Sequence, residues 1–269
     1  MATVNHIAVF VKPWKALPLP ELGAHIYNLG FRWIELPVRP GFPCQPATIE
    51  RDLPEAVKIL ADQGVQILNV TVSLPLDDER LYAACAAAGI GMNRVMFGTD
   101  GKRYWDAEAD ARRQLDAALP FCERYGIQIG IQNHYARFVG VNEMSLYHLV
   151  KDYNPTHVGI IWDAAHNALE GMEPELALDI VESHLCCVNL KNAFWQRTNG
   201  PEAENAEWKV YWTGGRQGRA SWPRVVAKLQ AMNYTGPICL TAEYSDEHAV
   251  DRLIQQDLGF AQSLLSPVS

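Results

Sequence analysis

The sequence predicts a single (β/α)₈ (TIM) barrel with its active site at the C-terminal ends of the strands. Three observations lead there. Short, β-rich apolar segments alternate with helical ones along the whole chain, and eight strand–helix units are counted. The length of 269 residues suits one barrel of this kind, which typically needs about 250 residues. Finally, several otherwise apolar strands end in carboxylate, amide, imidazole or ammonium side chains.

Taken in order, Ile7 to Trp14 reads as the first strand, and Pro20 to Leu29 as a helix closed by Gly30. Phe31 to Val38 is the second strand, followed by a Pro/Gly loop and a helix from Ile49 to Gln63. Gln66 to Leu74 is the third, with a helix over Asp77 to Ala88, and Asn93 to Gly98 is the fourth, with a long helix over Ala107 to Tyr125. The fifth strand, Ile127 to His134, alternates isoleucine with polar or small residues. Side chains alternate across a strand, so Ile127, Ile129 and Ile131 pack on one face while Gln128, Gly130, Gln132 and His134 share the other.

A helix over Glu143 to Asp152 precedes the sixth strand, Val158 to Asp163, and a helix around Pro174 to Ser183 precedes the seventh, Leu185 to Lys191. Phe194 to Ser221 reads as a long, aromatic-rich loop capping the site. A helix over Trp222 to Met232, an eighth strand over Ile238 to Tyr244 and a last helix over His248 to Leu265 complete the chain. The competing fold, a doubly wound open sheet, usually carries a Gly-rich phosphate turn after its first strand. Lys12-Pro13-Trp14-Lys15 is no such turn, so no nucleotide cofactor is expected.

Composition narrows the function classes. With 48% hydrophobic and 20% charged residues the chain is ordinary for a globular protein, and one domain over 1–269 is expected. The net charge of −8 argues against broad nucleic-acid binding. No secretion signal and no run of about 18 apolar residues is found, so a cytoplasmic protein without membrane contacts is expected. The six scattered cysteines contain no C-x-x-C pair and read as reduced, mostly buried thiols. A homo-oligomer stays open.

The strand ends supply the candidate chemistry. Glu35 ends the second strand, Gln132 and His134 the fifth, Trp162, Asp163 and His166 the sixth, Asn189 and Lys191 the seventh, and Glu243 the eighth. Two buried carboxylates, Asp163 and Glu243, need a cation, a proton or several donors to be tolerated, or else are loop acids paired with a basic residue. His134 and His166 are acid/base candidates or polar core residues. Lys191 either steadies a developing enolate or pairs with Glu35 or Asp163. Trp162, Trp195, Trp212, Trp222, Tyr135 and Phe138 would suit stacking on sugar C–H faces, or ordinary packing. Arg216, Arg219 or Lys209 could reach an anionic substrate group, or be solvated.

These residues resemble the sugar phosphate isomerase/epimerase family of xylose-isomerase-like barrels, which includes tagatose and psicose 3-epimerases, inosose-processing enzymes and hydroxypyruvate isomerases. The resemblance spans nearly the whole chain. It is strongest at Gly30-Phe31-Arg32-Trp33-Ile34-Glu35-Leu36, Asp163-Ala164-Ala165-His166, Val188-Asn189-Leu190-Lys191-Asn192, and Gly236 to Glu243. Thr213-Gly214-Gly215-Arg216, Trp222-Pro223 and Asn233-Tyr234-Thr235-Gly236 add to it.

The resemblance implies a carbohydrate substrate and a divalent ion, Mn²⁺ or Mg²⁺, held by Glu, Asp, His and Glu on strands 5 to 8. Asp163 and Glu243 keep two of those positions, whereas Gln132 and Asn189 place amides at the other two. Amide oxygens can still serve a hard cation, but the nitrogen that suits Zn²⁺ is gone. Two-base epimerisation also needs a carboxylate at position 132, and an amide is no general base.

The expected reaction is therefore one-base enolisation of a sugar, keto-sugar or polyol. Glu243 takes the proton, Lys191, His134 or a divalent metal steadies the enolate and His166 returns the proton. Glu35, Gln132, Trp162 and Arg216 contact substrate. Elimination from a keto-sugar or inosose, and a non-catalytic sugar-binding barrel, are the alternatives; a DNA-repair endonuclease is disfavoured by the acidic charge.

Overall fold

The computed structural model describes residues 6–266. Eight parallel strands close into a barrel, with helices between successive strands. In chain order the elements are β1 (Ile7–Phe10), α1 (Leu19–Asn28), β2 (Trp33–Val38), α2 (Ile49–Asp62), β3 (Gln66–Val72), α3 (Glu79–Ala87), β4 (Met92–Val95), α4 (Tyr104–Tyr125), β5 (Gln128–Gln132) and α5 (Glu143–Val150). There follow β6 (Val158–Asp163), α6 (Ala164–Glu170), α7 (Pro174–Val181), β7 (Leu185–Leu190), β8 (Asn192–Arg197), β9 (Trp208–Thr213), α8 (Trp222–Ala231), β10 (Ile238–Leu240) and α9 (Val250–Leu265). The barrel runs β1-β2-β3-β4-β5-β6-β7-β10, and β10 closes on β1 through Ile7↔Ile238, Ala8↔Cys239 and Val9↔Leu240.

The helices bury one stripe each. On α2, Ile49, Leu53, Ala56 and Leu60 follow the helical repeat and are buried against the barrel. A fully buried Leu of this kind contributes roughly 1.5–3 kcal/mol. The strand residues pointing outward, among them Ile127, Ile129, Ile131 and Trp162, join that same core. Inside the barrel a separate small cluster of Ala8, Phe10, Ile161, Cys187 and Cys239 fills the lower half. Gly130 belongs to this interior: a Cβ there would lie 2.7 Å from Ile161 Cδ1, so only glycine lets the two strands' contents share that layer.

Four segments differ from the expected pattern. The long loop contains an antiparallel hairpin, β8–β9, whose register runs from Asn192↔Thr213 to Arg197↔Trp208. Asp163 is followed directly by a short helix, α6. Asp163 Oδ1 caps it by accepting from Ala165 N (3.0 Å) and His166 N (3.1 Å), and Gly171 ends it in the left-handed region (φ 89°). The first and eighth strands are also shorter than expected. Pro13 turns the chain into a 3₁₀ turn over Lys12–Trp14. Ala242 adopts φ 52°, which ends the extended run and turns Glu243 to the mouth.

The six cysteines form no disulfide; five are buried and Cys186 is half-buried. Among the described residues no helix is long and apolar enough to cross a membrane.

Candidate active site

Above the apolar floor the barrel interior turns polar. Glu35 (β2), Arg94 (β4), Gln132 (β5), Asp163 (β6) and Asn189 (β7) are all buried there. Arg94 Nε donates to Glu35 Oε1 (2.5 Å), and Thr71 Oγ1 donates to the same oxygen (2.6 Å). Arg94 Nη1 donates to Gln132 Oε1, and Gln132 Nε2 donates to Asp163 Oδ2 (2.9 Å). A guanidinium only donates, so the orientation of the Gln132 amide follows from its two neighbours. Asn189 Nδ2 approaches Asp163 Oδ2 at 3.5 Å, while Asn189 Oδ1 has no partner. Burial pushes the Asp163 carboxyl up from its ordinary range; Lys191 and the N–H donors pull against it.

The mouth lies one layer higher. Glu243 accepts from Lys12 Nζ (2.5 Å) and Lys191 Nζ (2.8 Å). Burial alone would raise its pKa, but the two ammonium groups outweigh that and hold it down at about 2. Lys191 Nζ also sits 3.8 Å from the centroid of the Trp212 ring, a cation–π contact delivered by β9. His134 follows β5, and its Nδ1 lies 2.9 Å from Tyr135 O. A carbonyl accepts only, so Nδ1 carries the proton and the Nε2 lone pair is left open. Burial lowers the His134 pKa, helped by Lys191 and Arg94 and opposed by the Tyr135 carbonyl. His134, Tyr135, Lys191, Trp212 and Glu243 line a cavity of about 950 Å³, with Lys12, Trp14 and Arg39 on the same wall. That volume suits a small-molecule ligand.

The two-lysine clamp on Glu243 makes a checkable prediction. E243Q leaves Lys191, only 7% exposed, without its counter-charge. Stability at pH 7 should fall by about 1–3 kcal/mol, less than for a fully buried pair because the carboxylate is partly solvated. The folded pKa is depressed, so this contribution is complete above the ordinary carboxylate pKa of about 4.3 and is lost as pH falls toward about 2. Urea denaturation of both proteins from pH 7 to pH 2 should show the difference closing in that window.

The residues expected from the sequence divide between three places. His134, Lys191 and Glu243 line the cavity, and Gln132, Asp163 and Asn189 form the layer beneath. His166 is 1% exposed and stacks under His134 (ring centroids 4.0 Å). Its Nδ1 has no partner, its Nε2 is 3.9 Å from Asp163 Oδ2, and burial drives its pKa well down. This shielded ring lies behind the cavity lining, packed against His134, Tyr135 and Trp212, which do line it.

Trp162 does not line the cavity either. Asp163 faces inward, so Trp162 must face the helices, where its indole N–H donates to Glu143 Oε1 (2.8 Å). Arg216 lies outside as well, exposed and stacked on Phe260 of α9 (3.7 Å). Glu35 is 1% exposed and committed to Arg94, not to a ligand. Of the aromatic set, Tyr135 and Trp212 line the cavity and Trp222 is core.

The strand ends do not single out Arg94, Lys12 or Arg39. A lone arginine inside a short strand is the signal for Arg94, since a central strand tolerates a charge only when it is paired. Lys12 and Arg39 follow their strands immediately, which is where a barrel's working residues stand.

Whether a divalent ion fits can be judged from the donor set. The four positions implied by the resemblance are Gln132, Asp163, Asn189 and Glu243. Gln132 gives its oxygen to Arg94 and turns its N–H groups to Asp163. Asp163 accepts from two backbone and two amide donors, and Glu243 is held between two lysines. Three carboxylates (Glu35, Asp163, Glu243) already face three cations (Arg94, Lys12, Lys191), so a divalent ion would bring uncompensated charge into a buried site. These residues do not fit the ion. Among the described residues no group of three or more His, Cys, Asp or Glu side chains could hold a metal.

No curated protein sequence matches this chain. Its overall shape is similar to a D-psicose 3-epimerase crystallised in the presence of D-fructose, at 15% identity over 97% of this chain and 99% of that one (TM-score 0.72). It is similar to a 3-keto-D-glucoside 4-epimerase from E. coli, at 14% identity over 96% and 99% of the two chains (TM-score 0.70). A xylose isomerase-like TIM barrel protein from Mycobacterium smegmatis in complex with magnesium is 16% identical over 98% and 97% (TM-score 0.69). The model of the xylose isomerase-like TIM barrel family matches residues 24–264, and the chain belongs to that family.

Proposed function

We propose that this chain is an enzyme that removes a proton next to the carbonyl of a ketose or related hydroxy-carbonyl compound, with protein cations taking the developing negative charge. One observation carries the reading. A neutral imidazole, its tautomer fixed by the Tyr135 carbonyl, lines the same cavity as the nearly buried Lys191 ammonium. Base and electrophile are what enolisation requires.

The base is His134 and not Glu243. A carboxyl held at about 2 is too weak a base at neutral pH, whereas an imidazole is close to the optimum. Glu243 instead holds Lys12 and Lys191 side by side, where one or both can donate to the substrate oxygen as it becomes an enolate. Arg94 adds positive charge below and fixes Gln132. Trp212 and Tyr135 give the apolar walls against which sugar C–H faces pack.

One base acting on one face moves a proton between neighbouring carbons, which is aldose–ketose isomerisation; expulsion of a β-hydroxyl from the same enolate would be elimination. Similarity in fold to barrels named for keto-sugar epimerisation supports the substrate class. The test is exchange in D₂O, followed by proton NMR, over a panel of ketoses and keto-acids. Loss of the signal next to the carbonyl with at least one substrate is expected. Thermal stabilisation by sugars without any exchange would replace this reading with that of a binding protein.

A further inference from the structure

Among the described residues two cations that line the cavity, Arg39 and Lys15, have no ion-pair partner, and of these Lys15 is exposed whereas Arg39 is half-buried. Arg39 follows β2 in a tight turn, its N–H donating to Cys44 O (3.3 Å) and its carbonyl accepting from Phe42 N (3.1 Å). The guanidinium carbon lies 5.9 Å from the Phe10 ring centroid, on the ring that Arg94 also covers at 4.5 Å. Arg94 is balanced by Glu35, but among the described residues Arg39 has no carboxylate within ion-pair distance. Two of the cavity's three carboxylates are engaged elsewhere. Glu243 is held by Lys12 and Lys191, and Asp251 accepts from the Trp14 indole (2.9 Å) and contacts His25 (3.3 Å). Glu247 stands exposed at the outer rim.

A half-buried guanidinium beside a second guanidinium is in an unfavourable place; burial and Arg94 act against its charge, and the more distant Glu35 and Glu243 offset them only in part. In a protein of net charge −8, this local excess of positive charge is not a general surface property. A planar fork of N–H donors left open at a cavity wall matches the oxygens of a carboxylate or phosphate, which it can bind through two parallel hydrogen bonds.

We infer that Arg39 is the anchor for an anionic group on the substrate, so that the cavity takes a sugar acid or sugar phosphate in preference to a neutral sugar. This rests on the reading of the cavity as a hydroxy-carbonyl site. The two oxyanions share the same recognition chemistry and differ in charge and size.

Calorimetric titration separates them with a matched set of ketoses: D-fructose, D-fructose 6-phosphate and D-fructuronate. At least one anionic probe is expected to bind about tenfold or more tightly than D-fructose, which is the scale of one charge-assisted, bidentate contact. Whichever probe gains more identifies the oxyanion. R39Q should bring the affinity for the preferred anionic probe down to that for D-fructose without lowering the melting temperature, and R39K should keep part of the preference. If no anionic probe binds more tightly than D-fructose, or if R39Q preserves the preference, the inference is overturned. Binding and chemistry are read separately: an anionic probe held through Arg39 but never deuterated supports the subsite and contradicts the proposed reaction.

Discussion

Replacing His134 by glutamine should lower kcat/KM by about 10²–10⁴-fold, the usual contribution of a positioned general base. The loss should fall on kcat, because His134 is asked to act on the proton and not to anchor the substrate. Glutamine keeps polar atoms and approximate size but cannot accept a proton at neutral pH. The fold should hardly change, since His134 is half-buried and gives up one hydrogen bond, to Tyr135 O, worth about 0.5–1.5 kcal/mol. The pH profile offers a second readout. The pKa of His134 is lowered, and a base works only unprotonated, so the acid limb of kcat/KM should lie below the ordinary imidazole value of about 6.5. An acid limb in the carboxylate range, or an H134Q enzyme of normal activity, would return the role of base to Glu243.

Replacing Arg94 by methionine should destabilise the protein by about 3–5 kcal/mol, the cost of leaving one member of a buried ion pair behind. Arg94 is 5% exposed and Glu35 1%, so neither is rescued by solvent. Only Thr71 Oγ1 would still donate to Glu35 Oε1, and Gln132 Oε1 would lose its donor as well. The companion variant distinguishes the pair from the shape of the side chains. The E35Q/R94M double substitution removes both charges and should recover a substantial part of the loss, giving a large coupling term in a double-mutant cycle. Urea denaturation at pH 7 measures all four proteins. A loss under about 1 kcal/mol for R94M would mean that the interior ion pair carries little.

How much of the fold is legible in the sequence follows from what each residue type announces. The eight strands can be read because short β-branched segments, separated by helical ones at regular intervals, fit few folds besides a parallel barrel. The hairpin β8–β9 is hidden by composition. Asn192 to Arg197 and Trp208 to Thr213 stand among polar and glycine residues, so the alternation within Trp208-Lys209-Val210-Tyr211-Trp212-Thr213 is submerged in a loop. Helix α6 is hidden because Asp163 ends a strand, although an Asp followed by Ala-Ala and closed by Gly171 is also a helix start. Trp162 is misplaced for a related reason. Adjacent strand residues face opposite ways, so Trp162 and Asp163 cannot both serve the mouth.

The site is legible as a place and less so as a mechanism. Gln132 and Asn189 stand out as amides at positions where the resemblance implies ligands. What sequence cannot supply is their partner: Arg94 announces itself as an arginine inside the short strand β4, but nothing in the sequence says that it reaches Glu35 and Gln132. Once Arg94 is paired with Glu35 and Gln132, Gln132 acts as a hydrogen-bonded link between Arg94 and Asp163 and not as a weakened ligand, while Asn189 keeps one long contact to Asp163 and an unpartnered Oδ1. Glu243 changes meaning in the same way, since the two lysines that flank it are distant in sequence and hold it ionised.

Enolisation by His134 and the lysine pair, without a divalent ion, is tested most directly by the rate of deuterium exchange next to the carbonyl. The rate is measured on protein stripped with EDTA and on the same protein supplied with Mn²⁺ or Mg²⁺. Equal rates are expected in the three preparations, all abolished by H134Q. Exchange that arises only when the ion is added, and that survives H134Q, would contradict the proposed chemistry.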